Sequence, residues 1–527
     1  ESSIDEDEVN NARTANTSPD NTTYPDVLPD LTYQTVYEYN SLNQLIYQKT
    51  PDGGESRFAY DALGRLVVSQ NEKQLNASPD EQFSYTKYDD LGRIIEVGEM
   101  SADAVGDYGF KGGQFVEDAS TSPTLLDVSA ATFPFNLGDV TGVEEVTLTV
   151  YDAPITGEAA LFEDYSMDNT RNRITAVCYF DTYTAASDPE DYDNASFYDY
   201  DVHGNVKELI NDIQDADLVA LNQNVKKVKY DYELVSGNVA EVTYQSGEED
   251  QFIHKYEYDA DNRITNVLTS KDDLIWEQDA KYFYYDHGPL ARTEIGDKKV
   301  QSFDMAYTIQ GWLKGINSED LDELNEIGKD GKASAINSMN ARDAFGYSLH
   351  YFEDDYAGRA TSSTNFLAYS GTATPTANGL DLYNGNIKEM YTAATDINEG
   401  TMKTNHSWYE YDQLNRIAEM DMELLSGGFG STPTLTSGLH ESSYTYDANG
   451  NLQTLKRYAD VSNTKTLIDD LTYNYLTVGG SSSNRLGHVD DAIPIATITD
   501  DLDDQALGNY SYNEIGELTG DAQEEIE

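Results

Sequence analysis

The sequence predicts an all-β protein built from repeated β-hairpins, and three observations carry that prediction. A short unit recurs from one end of the chain to the other; Tyr is abundant at 40 residues beside 38 Gly; and apolar residues at helical spacing are scarce. In Phe58-Ala59-Tyr60-Asp61-Ala62-Leu63-Gly64-Arg65-Leu66 two aromatics stand two residues apart, an acid follows, a Gly comes three later and an aliphatic closes the unit. Residues i and i+2 of a strand share a face, so Phe58 and Tyr60 lie on one side of a sheet. Asp61 suits the first position of a type I turn, where its carboxylate accepts a local backbone N–H, and Gly64 suits a position of positive φ. The unit reads strand, tight turn, strand.

Other copies vary within the same physical limits. Tyr37 and Tyr39 with Asn40 lead to Asn43 and Leu45; Tyr88 and Asp89 lead to Gly92, Arg93 and Ile94; Tyr256, Tyr258 and Asp259 lead to Asn262, Arg263 and Ile264. Tyr409, Tyr411 and Asp412 lead to Asn415 and Arg416, Tyr444, Tyr446 and Asp447 to Gly450 and Leu452, and Tyr510, Tyr512 and Asn513 to Gly516 and Leu518. Asn replaces Gly only at the turn position, where it best tolerates a left-handed backbone. Weaker copies run from Tyr198 to Val206, from Tyr284 to Leu290 and from Tyr473 onward. Repetition of this kind favours one continuous body over separate globules, even at 527 residues.

These units resemble the YD repeats of RHS-type proteins, a family that includes the teneurin shell and the cocoon-forming subunits of bacterial toxin complexes. Gly311-Trp312-Leu313-Lys314-Gly315-Ile316-Asn317, Gly328-Lys329-Asp330-Gly331, Asp343-Ala344-Phe345-Gly346-Tyr347 and Tyr383-Asn384-Gly385-Asn386-Ile387 are similar to segments of the long RHS proteins of Bacteroidetes. The resemblance spans most of residues 33 to 520. It implies a hairpin ribbon wound as a continuous sheet into a hollow shell, often around a C-terminal toxin. In the family, shells that release cargo use an aspartyl autoproteolytic site after the repeats; no residue here receives that role.

In chain order, residues 1–30 form an acidic, Pro-punctuated stretch expected to be a disordered linker, and 31–527 the repeat shell, read as a fragment without its C-terminal core and tail. Three closely spaced repeats run to about Val97. The signature lapses from 98 to about 150, where long loops and irregular strands are expected, and alternation resumes at Val146 to Asp152. Val225 to Tyr232 and Val239 to Val242 read as further strands. A short helix is expected after Asn317, capped by Ser318, with Glu319 and Asp320 in its first turn and Leu321, Leu324 and Ile327 on one face before Gly328. Segments 370–380, 426–438 and 478–484 read as exposed connections.

The net charge of −63 makes nucleic acid and anionic membrane poor partners, and no apolar run is long enough to span a bilayer. Most of the 96 acids are read as solvating a large β surface. Asp501, Asp503 and Gln505 start like a calcium loop, but Ala506 and Tyr512 replace the Gly and Glu that such a loop needs. Cys178 is the single cysteine, which excludes an intrachain disulfide and reads as a small buried apolar residue. The seven histidines show no paired metal-ligand spacing, and no nucleophile elbow or Walker loop is present. The expectation is therefore no enzyme, no cofactor, no metal and no catalytic residue. Two functions compete: the wall of a secreted RHS protein enclosing or delivering its own C-terminal effector, with the secretion machinery as a further partner, or a cell-surface adhesin for glycans or neighbouring cells.

Overall fold

The structure is a computed structural model that describes residues 33–101, 109–111, 114–117, 124–125, 143–153, 162, 169–183, 191–321, 326–356, 381–395, 402–425, 440–461, 464–478, 481–493, 502 and 504–526. The expected linker at 1–30, the connections at 370–380 and 426–438, and Leu324, Asp501 and Asp503 lie outside these.

The molecule is one antiparallel meander. Twenty-six strands, from Val36–Tyr39 to Ser481–Asp491, form a continuous sheet in which each strand pairs with the strands before and after it. One detour interrupts the order: Ile94–Ser101 pairs directly with Val143–Tyr151, and the intervening chain forms a small separate sheet of Gly109–Lys111, Gln114–Glu117 and Thr124–Leu125. A last hairpin, Tyr510–Tyr512 with Leu518–Asp521, stands apart from the main sheet. Helix among the described residues is limited to two single turns. Glu72–Leu75 is held by a capping box between Asn71 and Gln74, and Ala216–Ala220 by the Asp215 carboxylate.

Apolar burial is uneven along the ribbon. Val68, Phe83, Met100, Val146, Phe180 and Phe197 belong to one buried cluster within residues 59–210, with Cys178 fully buried among them. From there the wall thins: every residue of Val239–Tyr244 and nearly every one of Val225–Tyr232 is half-buried, so both sheet faces stay partly wet. Tyrosine suits such a wall because its ring packs while its hydroxyl reaches a polar partner.

Two local expectations are corrected. No helix begins at Ser318 among the described residues: Asn317 and Ser318 have φ of 60° and 144°, outside the helical range, and Glu319 and Asp320 are buried instead of facing water at a helix start. Residues 481–484 belong to a strand, Ser481–Asp491, instead of the expected connection, and Ser483 is fully buried, whereas Val478 and Asn484 are exposed as expected and 479–480 lie outside the described residues.

The ribbon curls until its two ends meet. Asp52, in the turn between Leu45–Thr50 and Gly54–Tyr60, accepts hydrogen bonds through its carboxylate from the backbone N–H of Asn484 at 2.6 Å and from Asn484 Nδ2 at 2.5 Å. Arg485 donates to the Asp52 carbonyl and also to the carbonyls of Asn513 and Glu514 in the last hairpin. Gly516 closes the approach: a Cβ there would lie 2.8 Å from the Asp52 carbonyl oxygen. The seam is made of turns and side chains, with no strand pairing across it among the described residues.

Candidate functional site

Two arrangements stand out, a junction repeated between hairpins and a buried polar cluster unlike the rest of the wall. The junction begins at the turn. Asp61 Oδ1 accepts the backbone N–H groups of Leu63 and Arg65 at 2.9 and 2.8 Å, and the Gly64 N–H bonds the Asp61 carbonyl at 3.0 Å, with Gly64 at φ 82°. This is a type I turn followed by a left-handed residue, and it places a bulge before the pair Tyr60 and Leu66. Asp89 with Gly92, Asp259 with Asn262, Asp412 with Asn415, Asp447 with Gly450, Asn40 with Asn43 and Asn513 with Gly516 repeat the turn, each left-handed residue having φ between 60° and 94°.

The second carboxylate oxygen then holds an arginine. Arg65 Nε lies 2.6 Å from Asp61 Oδ2, and the guanidinium lies over the Tyr88 ring, its carbon 4.4 Å from the centroid. Arg93 covers Tyr151, Arg263 covers Tyr284 and Arg416 covers Tyr446 in the same way. The tyrosine so covered completes the link: Tyr88 Oη donates to the Leu66 carbonyl at 2.9 Å. Tyr60, Tyr258, Tyr411 and Tyr446 donate likewise to Leu45, Val239, Ile387 and Ile417. Tyr512 meets the backbone of Leu486, whereas Tyr39, at the start of the ribbon, is 55 % exposed. Tyr200, Tyr232, Tyr284, Tyr351 and Tyr475 extend the series beyond the clear sequence copies.

The buried cluster gathers where the sequence showed only scattered acids. Strands Leu290–Ile295 and Gln301–Tyr307 turn Arg292, Glu294, Ser302 and Asp304 inward, and the excursion between Leu313–Ile316 and Phe345–His350 folds Asn317, Glu326, Asp330, Asn340 and Asp343 onto them. Arg292 reaches Asp304 and, at 2.7 Å, Asp330. Burial works against its charge, but these carboxylates outweigh that and hold the guanidinium above its ordinary range. Burial pushes Asp304 up to about 6, Glu326 up to about 7 and Asp343 up to about 8, each carboxyl also repelled by its acidic neighbours. Nearby, Lys314 and Asp355 form a buried ion pair at 2.7 Å, and Ser348 Oγ lies 3.3 Å from His350 Nε2. Gly328 is required by this packing, since a Cβ would overlap Asp304 and Arg292.

Sequence reasoning found the turn residues and missed the cluster. Its available signal was the group of segments around Gly311–Asn317, Gly328–Gly331 and Asp343–Tyr347, set apart from the repeats by their lack of a Tyr-Asp unit. Gln505, the described member of the incomplete calcium loop, is occupied by protein: its Oε1 accepts the Val489 N–H and its Nε2 donates to Tyr510.

The fold and junctions define an all-β hairpin-repeat protein. No family model and no curated protein matches the chain. Among solved structures, a TcdB2-TccC3-TEV crystal structure is 10 % identical at a TM-score of 0.26, aligning 97 % of this chain with 25 % of that one. A Tc holotoxin pore from Photorhabdus luminescens is 9 % identical at 0.27, over 92 % of this chain and 24 % of that one. A porin-like protein from Bacteroides uniformis is 6 % identical at 0.17, over 74 % and 90 %. The chain thus spans about a quarter of the length of the first two, and similarity this low leaves function to be argued from its own residues.

Proposed function

We propose that the chain is a section of the wall of a secreted or cell-surface RHS-type shell that encloses or delivers a C-terminal effector. The observation that carries this reading is the seam: residues more than 400 positions apart, Asp52 and Asn484, bond directly, so the ribbon completes a circuit instead of extending as a filament. The half-wet wall supports it too, because a sheet that is partly solvated on both faces fits a partition between two aqueous compartments. Tyr-to-carbonyl links fasten successive hairpins, including those of the stretch beyond the apolar cluster of residues 59–210. No helix among the described residues is long and apolar enough to cross a membrane. The reading assigns the wall no catalysis and no cofactor, and its net charge of −63 disfavours nucleic acid. Electron microscopy of the complete protein tests it: a closed particle with an internal cavity is expected, and a solid sandwich or a straight filament overturns it.

One feature favours the adhesin reading as a second possibility. A cleft of about 700 Å³ is lined by Tyr285, His287, Tyr307, Tyr356 and the acids Asp286 and Asp354, the mixture of ring faces and carboxylates that stacks on and hydrogen-bonds sugars. Glycan-array binding that is lost in Tyr307→Ala supports it; an array without signal removes it.

A further inference from the structure

The cluster around Arg292 gathers five buried carboxyl groups, Glu294, Asp304, Glu326, Asp330 and Asp343, of which Arg292 pairs with three and Lys299 with Glu294. One carboxylate oxygen from each of Asp304, Glu326 and Asp343 lies within 4.8 Å of the other two, and all three residues are buried. Donors favour the ionised form of two of them. Asp304 accepts from Arg292, and both oxygens of Glu326 accept backbone N–H groups, from Gly328 and, at 2.9 Å, from Asp330. Among the described residues Asp343 has only Gln301 Nε2, on Oδ1 at 3.1 Å. Its Oδ2 is buried without a hydrogen-bond partner among the described residues.

A second observation comes from outside the three. Asp330 is 98 % buried by its 2 % exposure, and its Oδ2 also lacks a partner among the described residues. Its backbone N–H is bonded to Glu326, and its charge bears on Asp304, Glu326 and Asp343 alike. Buried Asn340 Oδ1 is a further oxygen without a donor, on a side chain fixed by Glu294 at 2.9 Å and Ser302 at 2.8 Å. Buried oxygens left without donors carry a desolvation cost. Asp343 Oδ2 belongs to a member of the close trio, and Asp330 stands near enough for its charge to act on all three, a crowding that a positive ion among them would relieve.

We propose that Asp304, Glu326 and Asp343 bind one divalent cation of the calcium class, which clamps the 317–343 excursion to strands Leu290–Ile295 and Gln301–Tyr307. All the donors are hard oxygens, several carboxylates supply the charge, and no thiol or imidazole belongs to the set, which is the chemistry of calcium more than of zinc. The clamp has a structural purpose. Among its described residues the excursion has no strand pairing of its own; the Asn317 N–H on the Asp304 carbonyl, the Ala341 N–H on the Lys299 carbonyl and side chains such as these hold it to the sheet.

Calcium titration of the chain by calorimetry, in physiological salt with magnesium present, tests this. One saturable site is expected, at least roughly tenfold weaker in Asp343→Asn and unchanged in Glu441→Gln, which alters the separate, half-exposed group Glu419, Asp421 and Glu441. Diffuse, non-saturating uptake, or a site of equal strength in a folded Asp343→Asn protein, overturns the proposal. Crystals grown with manganese give a readout independent of any variant. An anomalous peak among the three carboxylates is expected, and a map without one there overturns the clamp.

Discussion

Tyr88 donates its phenolic hydrogen to the carbonyl of Leu66 at 2.9 Å, while Leu66 itself closes the preceding turn. The bond spans two hairpins, so it reports on how the ribbon is held together. Tyr88→Phe keeps the ring under Arg65 and removes only this bond. A loss of about 1 kcal/mol in urea unfolding is expected. No change would assign the link between hairpins to ring packing alone.

The same hydroxyls set an alkaline limit. Burial raises the folded pKa of Tyr60, Tyr88, Tyr258, Tyr284 and Tyr446 above the ordinary value, and burial followed by the Asp447 charge raises Tyr475 to about 12. A folded pKa above the unfolded one means stability present below the unfolded value, about 10. It is lost as pH rises through the folded values. Thermal melts should hold steady up to about pH 9 and fall between about 10 and 12; a flat profile there would refute the buried-hydroxyl account.

Asp61 makes the opposite prediction at low pH. Burial pushes its pKa up, but the backbone N–H and guanidinium of Arg65 outweigh burial and hold it below the ordinary carboxylate range. Its contribution is therefore present above about pH 4 and lost as pH falls. Asp61→Asn should make the acid limb of the stability curve shallower, since Asn titrates nothing there. An unaltered limb would show that this turn does not feel the charge.

Gly64 and Ala62 sit two residues apart in one turn with different backbone demands. Gly64 has φ of 82°, and a Cβ there would come 3.0 Å from Gln44 Nε2. Gly64→Val should cost on the order of 1–3 kcal/mol, and exposed Ala62→Val within about 0.5 kcal/mol. Equal melting temperatures would remove the conformational argument.

Arg485 joins the first turn to the last hairpin through the carbonyls of Asp52, Asn513 and Glu514. Arg485→Ala should leave the circular dichroism spectrum of the sheet intact while small-angle scattering shows a larger maximum dimension. Unchanged dimensions would mean that the curl is built into the sheet and the seam only decorates it.

The sequence by itself determined the repeating unit, because everything in the turn is local. Asp61, Gly64 and the residues between them meet within one hairpin, and their spacing contains the geometry; the same is true of Asn262 and Asn415, whose side chains tolerate the left-handed backbone. Arg65 was visible as part of the pattern, but its place over Tyr88 depended on how one hairpin lies beside the next. The tertiary structure alone decided the seam and the buried cluster. Asp52 and Asn484 meet because small twists accumulate over a whole circuit, and no short window records that sum. Ser318 to Asp320 carried local signals for a helix, yet burial against the sheet and the positive φ of Asn317 and Ser318 overrode them. Asp304, Glu326 and Asp343 look like ordinary members of an acidic chain until the fold brings them within 4.8 Å and removes the water that would have separated their charges.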